Sequence, residues 1–557
     1  MSMKRAADMS WFGWGDPARA APLSDPVRDL IARTLGVRLR ELPPVSEADV
    51  RLPARALDQA ARGALEEAVG ADWVRVDDAA RLRHAGGKST TDLLRRRAGA
   101  AEGAPDAVVL PADHEEVLAV LRACSEHRVA VVPFGGGTSV VGGVEPVRGD
   151  FASAASLDLR RLDRLVCLDT ESATATLQAG LRTPEAERLL AEHGHTLGHL
   201  PQSYEYATIG GYAATRSSGQ ASAGYGRFDA MVTALKAATP RGTLDLGRAP
   251  ASAAGPDLRE LLLGSEGVFG VITEVTLRVR PVPASARDEA WSFPDYASGA
   301  AALRRLAQSA VRPTTARLSD ETETFVNAAL SGREARPGCL LLVGLEGGER
   351  EVRTRREAVG TELAEAGGTF LGTEPAAEWR RARFHGPYLR DALLDAGILS
   401  ETLETATTWS NLMPLYEAVS AAVKETLEGP EGGAVVMCHI SHIYPTGASL
   451  YFTVVTATGA DPQSRWARAK RAAGDAIAAG GATITHHHAV GRDHLPWMSA
   501  EISPLGTDVL RTVKSSLDPV ASSTPASSSP AVRARGSKRR GLPYATSRAD
   551  PLRERPR

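Results

Sequence analysis

Two groups of residues in this chain have types and spacing that could do chemistry. The first is a set of glycine- and hydroxyl-rich loops. Pro133-Phe-Gly-Gly-Gly-Thr-Ser139 follows the apolar run Arg128-Val-Ala-Val-Val132. Successive glycines let backbone N–H groups come close to an anion and point at it. No Gly-Lys-Ser/Thr follows, which excludes the triphosphatase phosphate loop. Val140-Val141-Gly142 opens no helix, which excludes the dinucleotide fingerprint. Taken alone, the stretch reads equally well as a hairpin turn. Further loops follow it, however: Gly198-His-Leu-Pro-Gln-Ser-Tyr-Glu-Tyr-Ala-Thr-Ile-Gly-Gly211, Ala214-Thr-Arg-Ser-Ser-Gly219 with Tyr225-Gly-Arg227 and Asp229, and Gly264-Ser-Glu-Gly-Val-Phe-Gly-Val-Ile-Thr-Glu274. Together these suit a long ligand with a pyrophosphate and a ring system.

The second group lies further along the chain. Phe384-His-Gly-Pro-Tyr-Leu-Arg-Asp391 holds Arg390, and Ser400-Glu-Thr-Leu-Glu-Thr-Ala-Thr-Thr-Trp409 is rich in polar groups. Ser441 to Thr453 holds Tyr444 and Tyr451, and Thr485-His-His-His488 holds three consecutive histidines. Without further context, Arg390 reads as a surface ion-pair residue and Tyr451 as a core residue with a satisfied hydroxyl. Glu401 and Glu404 read as a solvated helix end. Three histidines in a row suggest a metal site. On a strand, though, only His486 and His488 would share a side, and His494 has no evident acidic companion, so no metal is expected.

The elements that must position these residues can be read from periodicity. Val27, Leu30, Ile31 and Leu35 recur at helical spacing after Asp25-Pro26. Ala107–Leu110 and Arg128–Pro133 read as strands around a helix opened by the capping box Asp113-His-Glu-Glu116. Strands follow at 157–159 and 174–177, with a helix from Thr183-Pro184 to about Gly194 and a strong strand over Val268–Arg280. Beyond 285, helices at 300–307, 351–366, 412–427 and 464–480 alternate with strands at 339–343, 434–437 and 449–455. The expected organisation is a helical N-terminal extension (1–105, in which Met9 is a candidate start), an α+β ligand-binding domain (106–284), a second α+β domain (285–480), a histidine segment and helix (481–520), and a disordered basic tail (521–557).

The chain has 557 residues, enough for several domains at about 100–200 residues each. With 65 Lys+Arg against 67 Asp+Glu, its balance is not that of a nucleic-acid binder, and no such partner is expected. The charge is uneven: residues 522–557 carry a net +7, leaving −9 on the rest. Four scattered cysteines form no CxxC pair, which fits a reducing compartment. No apolar run reaches the ~20 residues that cross a bilayer, and the start lacks a signal-peptide core.

The ordered combination of loops over 106–284 resembles the FAD-binding (PCMH-type) domain of vanillyl-alcohol-oxidase-type flavoproteins. The resemblance implies that FAD is held by Pro133, Phe134, Gly135, Gly136, Gly137, Thr138 and Ser139 around the pyrophosphate. The rest of the cofactor falls to Gln202, Ser203, Tyr204, Glu205, Tyr206, Ala207 and Thr208, to Arg216, Ser217, Ser218 and Gly219, and to Val268, Phe269, Gly270, Val271, Ile272, Thr273 and Glu274. The glycine loop carries no histidine, so non-covalent FAD is expected. Over about 106–519 the chain resembles the alkyldihydroxyacetonephosphate synthase family, and Trp11–Leu35 is similar to bacterial members. This implies a redox-neutral ether-lipid reaction, in which the acyl group of acyl-dihydroxyacetone phosphate is exchanged for the alkoxy group of a long-chain fatty alcohol. By position, Arg390 would bind the substrate phosphate and Tyr451 would donate and accept a proton. His486, His487 and His488 would act around the reacting carbon. A cytoplasmic protein is expected, with a homodimer and a peripheral membrane contact left open.

The alternative is an FAD-dependent dehydrogenase or oxidase of 2-hydroxy acids, which shares the FAD domain. Such relatives carry His-Val-Gly-Asp-Gly-Asn-x-His and a later Gly-Glu-His-Gly. Here Tyr451 stands at the second histidine, and His486-His-His488 lacks the glutamate. A third reading, a non-catalytic FAD-bound scaffold, would need a damaged site, and the matched positions show none.

The C-terminus departs from the family, whose members continue after Leu-Asp-Pro with a run such as Gly-Ile-Leu-Asn-Pro-Gly-Lys-Leu. GC-rich codons for Gly-Ile-Leu-Asn-Pro-Gly-Lys-Leu-Ile, read one base late, translate as Ala-Ser-Ser-Thr-Pro-Ala-Ser-Ser-Ser, which is Ala521–Ser529 residue for residue. A frameshift near codon 520 is therefore expected, and resequencing the end of the gene checks it.

Overall fold

The computed structural model describes residues 8–334 and 336–524. Two sheets build the first domain. β1 (Val74–Arg75), β2 (Ala107–Val109), β3 (Val129–Phe134) and β4 (Ser153–Asp158) lie in the order β1-β2-β4-β3, with β2 and β3 parallel to β4. Next come β5 (Leu165–Asp169), β6 (Thr174–Gln178), the short β7 (His195–Thr196), β8 (Val232–Thr239), β9 (Gly242–Leu246) and β10 (Val271–Arg278). Five of these form an antiparallel sheet, β5-β6-β10-β8-β9, while β7 pairs with β11 (Arg280–Pro281). The helix His114–Glu126 packs on both β3 and β8 and buries Val117, Leu118, Val120 and Leu121. Asp113 accepts from the Glu116 amide at 2.9 Å, while Glu116 reaches back to the Ala112 amide at 2.7 Å. The second half of the expected capping box has thus moved one residue upstream.

Part of the segment before residue 106 packs into the first domain. The helix Gln59–Val69 buries Ala61, Leu65 and Val69 in the same core as β2 and β3, and β1 extends the first sheet. A two-residue strand carries no alternation to read, which is why the sequence does not announce it. Asp25–Leu35 is a helix as expected, with Pro26 in its first turn, although Ser24 rather than Asp25 is the capping position.

The second domain starts at β12 (Ser285–Phe293). β13 (Thr315–Ser319), β14 (Cys339–Gly347), β15 (Thr369–Gly372), β16 (Ile398–Thr408), β17 (Ala434–Ile440), β18 (Ile443–Tyr444) and β19 (Gly447–Ala457) follow. They form one large antiparallel sheet in the order β15-β12-β14-β13-β17-β19-β16, with β18 folded onto β19. Helices Tyr296–Gln308, Glu349–Glu365, Leu412–Leu427 and Pro462–Ala479 cover one face, where Leu303, Val419, Trp466, Cys438 and Phe452 share a core. The polar segment 400–409 corrects the expectation of a solvated helix end. Most of it is β16, and Ser400, Glu401, Glu404 and Thr405 are buried. Their partners come from distant segments, so the sequence alone makes them look exposed. The last helix, Met498–Leu517, returns to the first domain through Leu510, Val513 and Leu517.

Residues 521–524 also fold back, so the tail does not begin at 521; the rest of it, 525–557, lies outside the described residues. Ser522 O accepts from the Val131 amide at 2.8 Å and the Thr524 amide donates to Val131 O at 2.7 Å, so the segment runs parallel to β3. Ala521 and Thr524 have φ of +59° and +46°, a region that favours Gly and Asn. Ser522 and Ser523 are 0% and 1% exposed, and the hydroxyls of Ser523 and Thr524 have no partner among the described residues. Gly-Ile-Leu-Asn would suit these four slots, and it is the run that the expected frameshift would have replaced. We therefore expect the combined variant A521G/S522I/S523L/T524N to gain roughly 2–4 kcal/mol, from relieved backbone strain at 521 and 524 and from the unsatisfied Ser523 hydroxyl replaced by apolar packing. Thermal unfolding checks this, and a lower melting temperature would contradict it.

Candidate functional site

The glycine loop leaves β3 and meets residues 202–208 face to face. A Cβ on Gly136 would lie 2.1 Å from Tyr206 O, and one on Gly135 would lie 2.4 Å from Thr208 Oγ1. Only glycine permits this closeness. Gly137 also needs its φ of +66°. Among the described residues, the amides of residues 135–140 donate to no protein acceptor, although the segment is half-buried or buried. In the other expected cofactor loops or next to them, Gln220 Oε1 and Ser265 Oγ are buried without a partner among the described residues. A row of free amides together with orphaned polar atoms fits a pyrophosphate-bearing cofactor.

The other expected cofactor residues divide into two sets. Ser217 Oγ contacts His199 Nε2 at 3.1 Å, and Ser218 Oγ contacts His442 Nδ1 of the second domain at 3.0 Å. Gly267 packs against Pro133, which joins the fourth loop to the first. Next to it, the Glu266 carboxylate accepts from the amides of Val490 and Gly491 at 3.1 and 2.8 Å. Burial pushes its pKa up to about 7. Other side chains point elsewhere. Tyr204 stacks on Phe384, Glu205 pairs with Arg19, Arg216 pairs with Asp229 and Glu260, and Thr273 is held by His114 in β10.

The reacting groups converge on the sheet of the second domain. Tyr451 on β19 sits opposite Glu404 on β16 and His439 on β17. Their neighbours Phe452, Leu403 and Cys438 face the helix-covered core, so these three side chains take the other face. The Tyr451 ring lies between two imidazoles, stacked on His439 with centroids 4.7 Å apart and facing His487 at 5.9 Å. His488 meets it edge-on at 5.6 Å. Burial pushes the Tyr451 phenol up to about 12, so it stays protonated. His439 is itself held by Arg317 at 2.9 and 3.0 Å and by Glu323 at 3.2 Å.

The histidine run corrects a second expectation, because it is not a strand. It is an irregular turn gathered around one carboxylate. Glu404 accepts from the amides of His486 (2.7 Å), His487 (3.2 Å) and His488 (2.9 Å), and from Thr485 Oγ1 (2.5 Å). All three imidazoles therefore reach the centre, where alternation would have turned His487 away. Burial would raise the Glu404 pKa. The charge interaction and hydrogen bond with His487, followed by the other two histidines, instead hold it well below the carboxylate range. Glu404 is the acidic companion that the sequence did not reveal. His442, His486 and His487 bring ring nitrogens within 4.8 Å of one another. Several ring nitrogens of these residues bond protein groups: His442 Nδ1 with Ser218 and Ser222, and His486 with Tyr444 (2.6 Å) and His487 (2.9 Å).

Arg390 stands apart from this cluster, on the helix Gly386–Asp395. Its Nη1 donates to Lys88 O at 2.5 Å, and its Nε and Nη2 donate to Asp391 Oδ1 at 3.2 and 3.0 Å. Asp391 also accepts from the Trp14 amide, so the Trp11–Gly15 segment helps to fix this arginine. Lys88 in turn donates its amide to Ser139 O at 2.6 Å, which links Arg390 to the glycine loop. Asp8, which precedes the candidate start at Met9, pairs with Arg160 (3.1 Å) and Arg182 (3.4 Å).

The chain matches two family models: an FAD binding domain over residues 105–246, and the C-terminal domain of FAD linked oxidases over 282–522. It is 33% identical to an alkyldihydroxyacetonephosphate synthase of Dictyostelium discoideum, over 80% of this chain and 77% of that protein. A synthase of the same name from Trypanosoma brucei brucei is 31% identical over 92% of this chain and 91% of its own length. A solved alkyldihydroxyacetonephosphate synthase structure superposes with a TM-score of 0.80 at 29% identity, covering 93% of this chain and 98% of that one.

Proposed function

The chain belongs to the alkyldihydroxyacetonephosphate synthase family, and from that premise we propose that it exchanges the acyl group of acyl-dihydroxyacetone phosphate for a long-chain alkoxy group. The cofactor is FAD, held non-covalently, since Thr138 and Ser139 stand in the glycine loop and no histidine does. The observation that carries the reading is the Tyr451 phenol, kept protonated and stacked between His439 and His487. An acid–base pair of this kind removes and returns a proton without needing an electron acceptor.

The balance is simple. The bond between C1 and the acyl oxygen breaks, and the carboxylate leaves with its electron pair. A bond between C1 and the alcohol oxygen forms, and the alcohol gives up its proton. Nothing is oxidised or reduced overall. Bound FAD would supply an electrophilic ring next to C1. The chain's own groups do the rest. His487 takes the C1 proton beside the Glu404 carboxylate, whose Oε2 lies 3.4 Å from His487 Nδ1. Tyr451 gives a proton to the departing group and recovers one from the alcohol. His486 and His488 fix the position of His487. Arg390, oriented by Asp391 and Lys88, would bind the substrate phosphate through the remaining N–H groups of Nη1 and Nη2.

Both substrates are lipids, which supports a peripheral membrane contact of a cytoplasmic protein. A homodimer belongs to the same reading. Among the described residues, no helix is long and apolar enough to cross a membrane.

Incubation with acyl-dihydroxyacetone phosphate and labelled long-chain alcohol tests the proposal. Labelled alkyl-dihydroxyacetone phosphate should form with one equivalent of fatty acid, and absence of label in an ether product would refute it. Arg390→Ala should raise the KM for the phosphate substrate by roughly 10²-fold, the scale of a lost charge-assisted contact, with FAD retained.

A further inference from the structure

Under the proposed reaction, a proton must leave C1 and later return, yet the histidines that handle it are buried. His486 is 6% exposed, and the side chains of His487 and His488 are 13% and 14% exposed. Beside them lies a cavity of about 570 Å³ bounded by Tyr444, Thr485, His486, Arg227 and Asp229. Its wall also includes Ala230 and Glu260, both exposed, so it opens to solvent. A continuous hydrogen-bonded path joins the cavity to the reacting centre. Tyr444 Oη lies 2.6 Å from His486 Nε2, and His486 Nδ1 lies 2.9 Å from His487 Nδ1. Arg227 bonds His486 O at 3.1 Å and fixes the middle of the path.

We propose that Tyr444, His486 and His487 form a proton wire connecting C1 of the substrate to this cavity. The proposal rests on the functional reading given above. The bonds assign the tautomers. Before transfer, neutral His486 donates Nε2–H to Tyr444 and accepts at Nδ1 from His487. When His487 receives the C1 proton at Nε2, its Nδ1 proton passes to His486 Nδ1. The Nε2 proton of His486 passes to Tyr444 Oη, and the Tyr444 hydroxyl proton passes to water in the cavity. One proton has crossed, and all three groups are neutral again. The reverse sequence returns a proton to C1. Two features suit the relay role. Burial, and then the charge of His487, holds the His486 pKa well below its ordinary value, so His486 passes a proton on instead of storing it. Burial keeps the Tyr444 phenol protonated. Tyr444 touches no reacting atom and acts only through His486.

The test follows exchange of the C1 hydrogen of acyl-dihydroxyacetone phosphate in D2O with the full-length holoprotein. Wild type should exchange C1 and form the ether. Tyr444→Phe keeps the ring but not the hydroxyl. It should lower exchange and kcat by about tenfold or more, and change the KM by less than about twofold, the pattern of a lost proton-transfer step. His486→Gln keeps a polar partner for Tyr444 but cannot relay a proton, and it should show the same loss, which guards against a folding defect in one variant. Exchange at the wild-type rate in both variants would overturn the wire and leave the functional reading intact. No exchange and no ether in wild type would overturn both.

Discussion

Replacing Tyr451 with Phe should reduce kcat by about 10²- to 10⁴-fold, the range for removing a general acid–base group, with little change in FAD content or melting temperature. The selectivity of this effect follows from the geometry. The phenyl ring keeps its stacking on His439 and its place facing His487, so the packing survives. Only the hydroxyl is lost. No other phenol replaces it there. Tyr444, the nearest alternative, is committed to His486 on the cavity side. Steady-state ether synthesis checks the prediction, and a Phe variant within about threefold of wild type would remove Tyr451 from the mechanism.

A comparable loss is expected from Glu404, though for a different reason. Glu404→Ala strips the acceptor from one buried amide, two half-buried amides and one hydroxyl. Each unsatisfied buried donor costs about 1–3 kcal/mol, so the histidine turn should open and stability should fall. Glu404→Gln separates position from charge. With its oxygen at the Oε1 position, Gln still accepts from Thr485 and from the His487 and His488 amides; its NH2 then faces the His486 amide, and the carboxylate that supports a proton on His487 is gone. We expect kcat to fall by about 10²-fold in the Gln variant, with the KM for both substrates and the flavin spectrum nearly unchanged. If the role were only structural, the Gln variant would lose stability and FAD in proportion to activity. That outcome would contradict the assignment.

The parts of this site that were legible in the sequence are those whose chemistry is local. A triple glycine after an apolar strand announces close approach and free amides, and the structure places Gly135 and Gly136 against Thr208 and Tyr206. Helices with a clear apolar stripe, such as Leu412–Leu427, appear at their expected bounds. The parts that were not legible depend on tertiary partners. Glu401 and Glu404 look like surface residues, yet one accepts from the Thr90 amide at 2.7 Å and the other from the histidine turn. No local pattern encodes either contact. The three histidines look like an alternating strand because nothing near them shows that a distant carboxylate gathers their amides. The strand β1 was too short to show a period, although it extends the first sheet.

The most direct measurement of the central claim follows the flavin and the products together. The purified protein would be mixed anaerobically with acyl-dihydroxyacetone phosphate and a long-chain alcohol, and in parallel with D-2-hydroxy acids. The account predicts ether and fatty acid in equal amounts from the first mixture, with the flavin oxidised at the end of the reaction, and no sustained change from the second. Sustained flavin reduction by a hydroxy acid, with no ether formed from the lipid substrates, would contradict it.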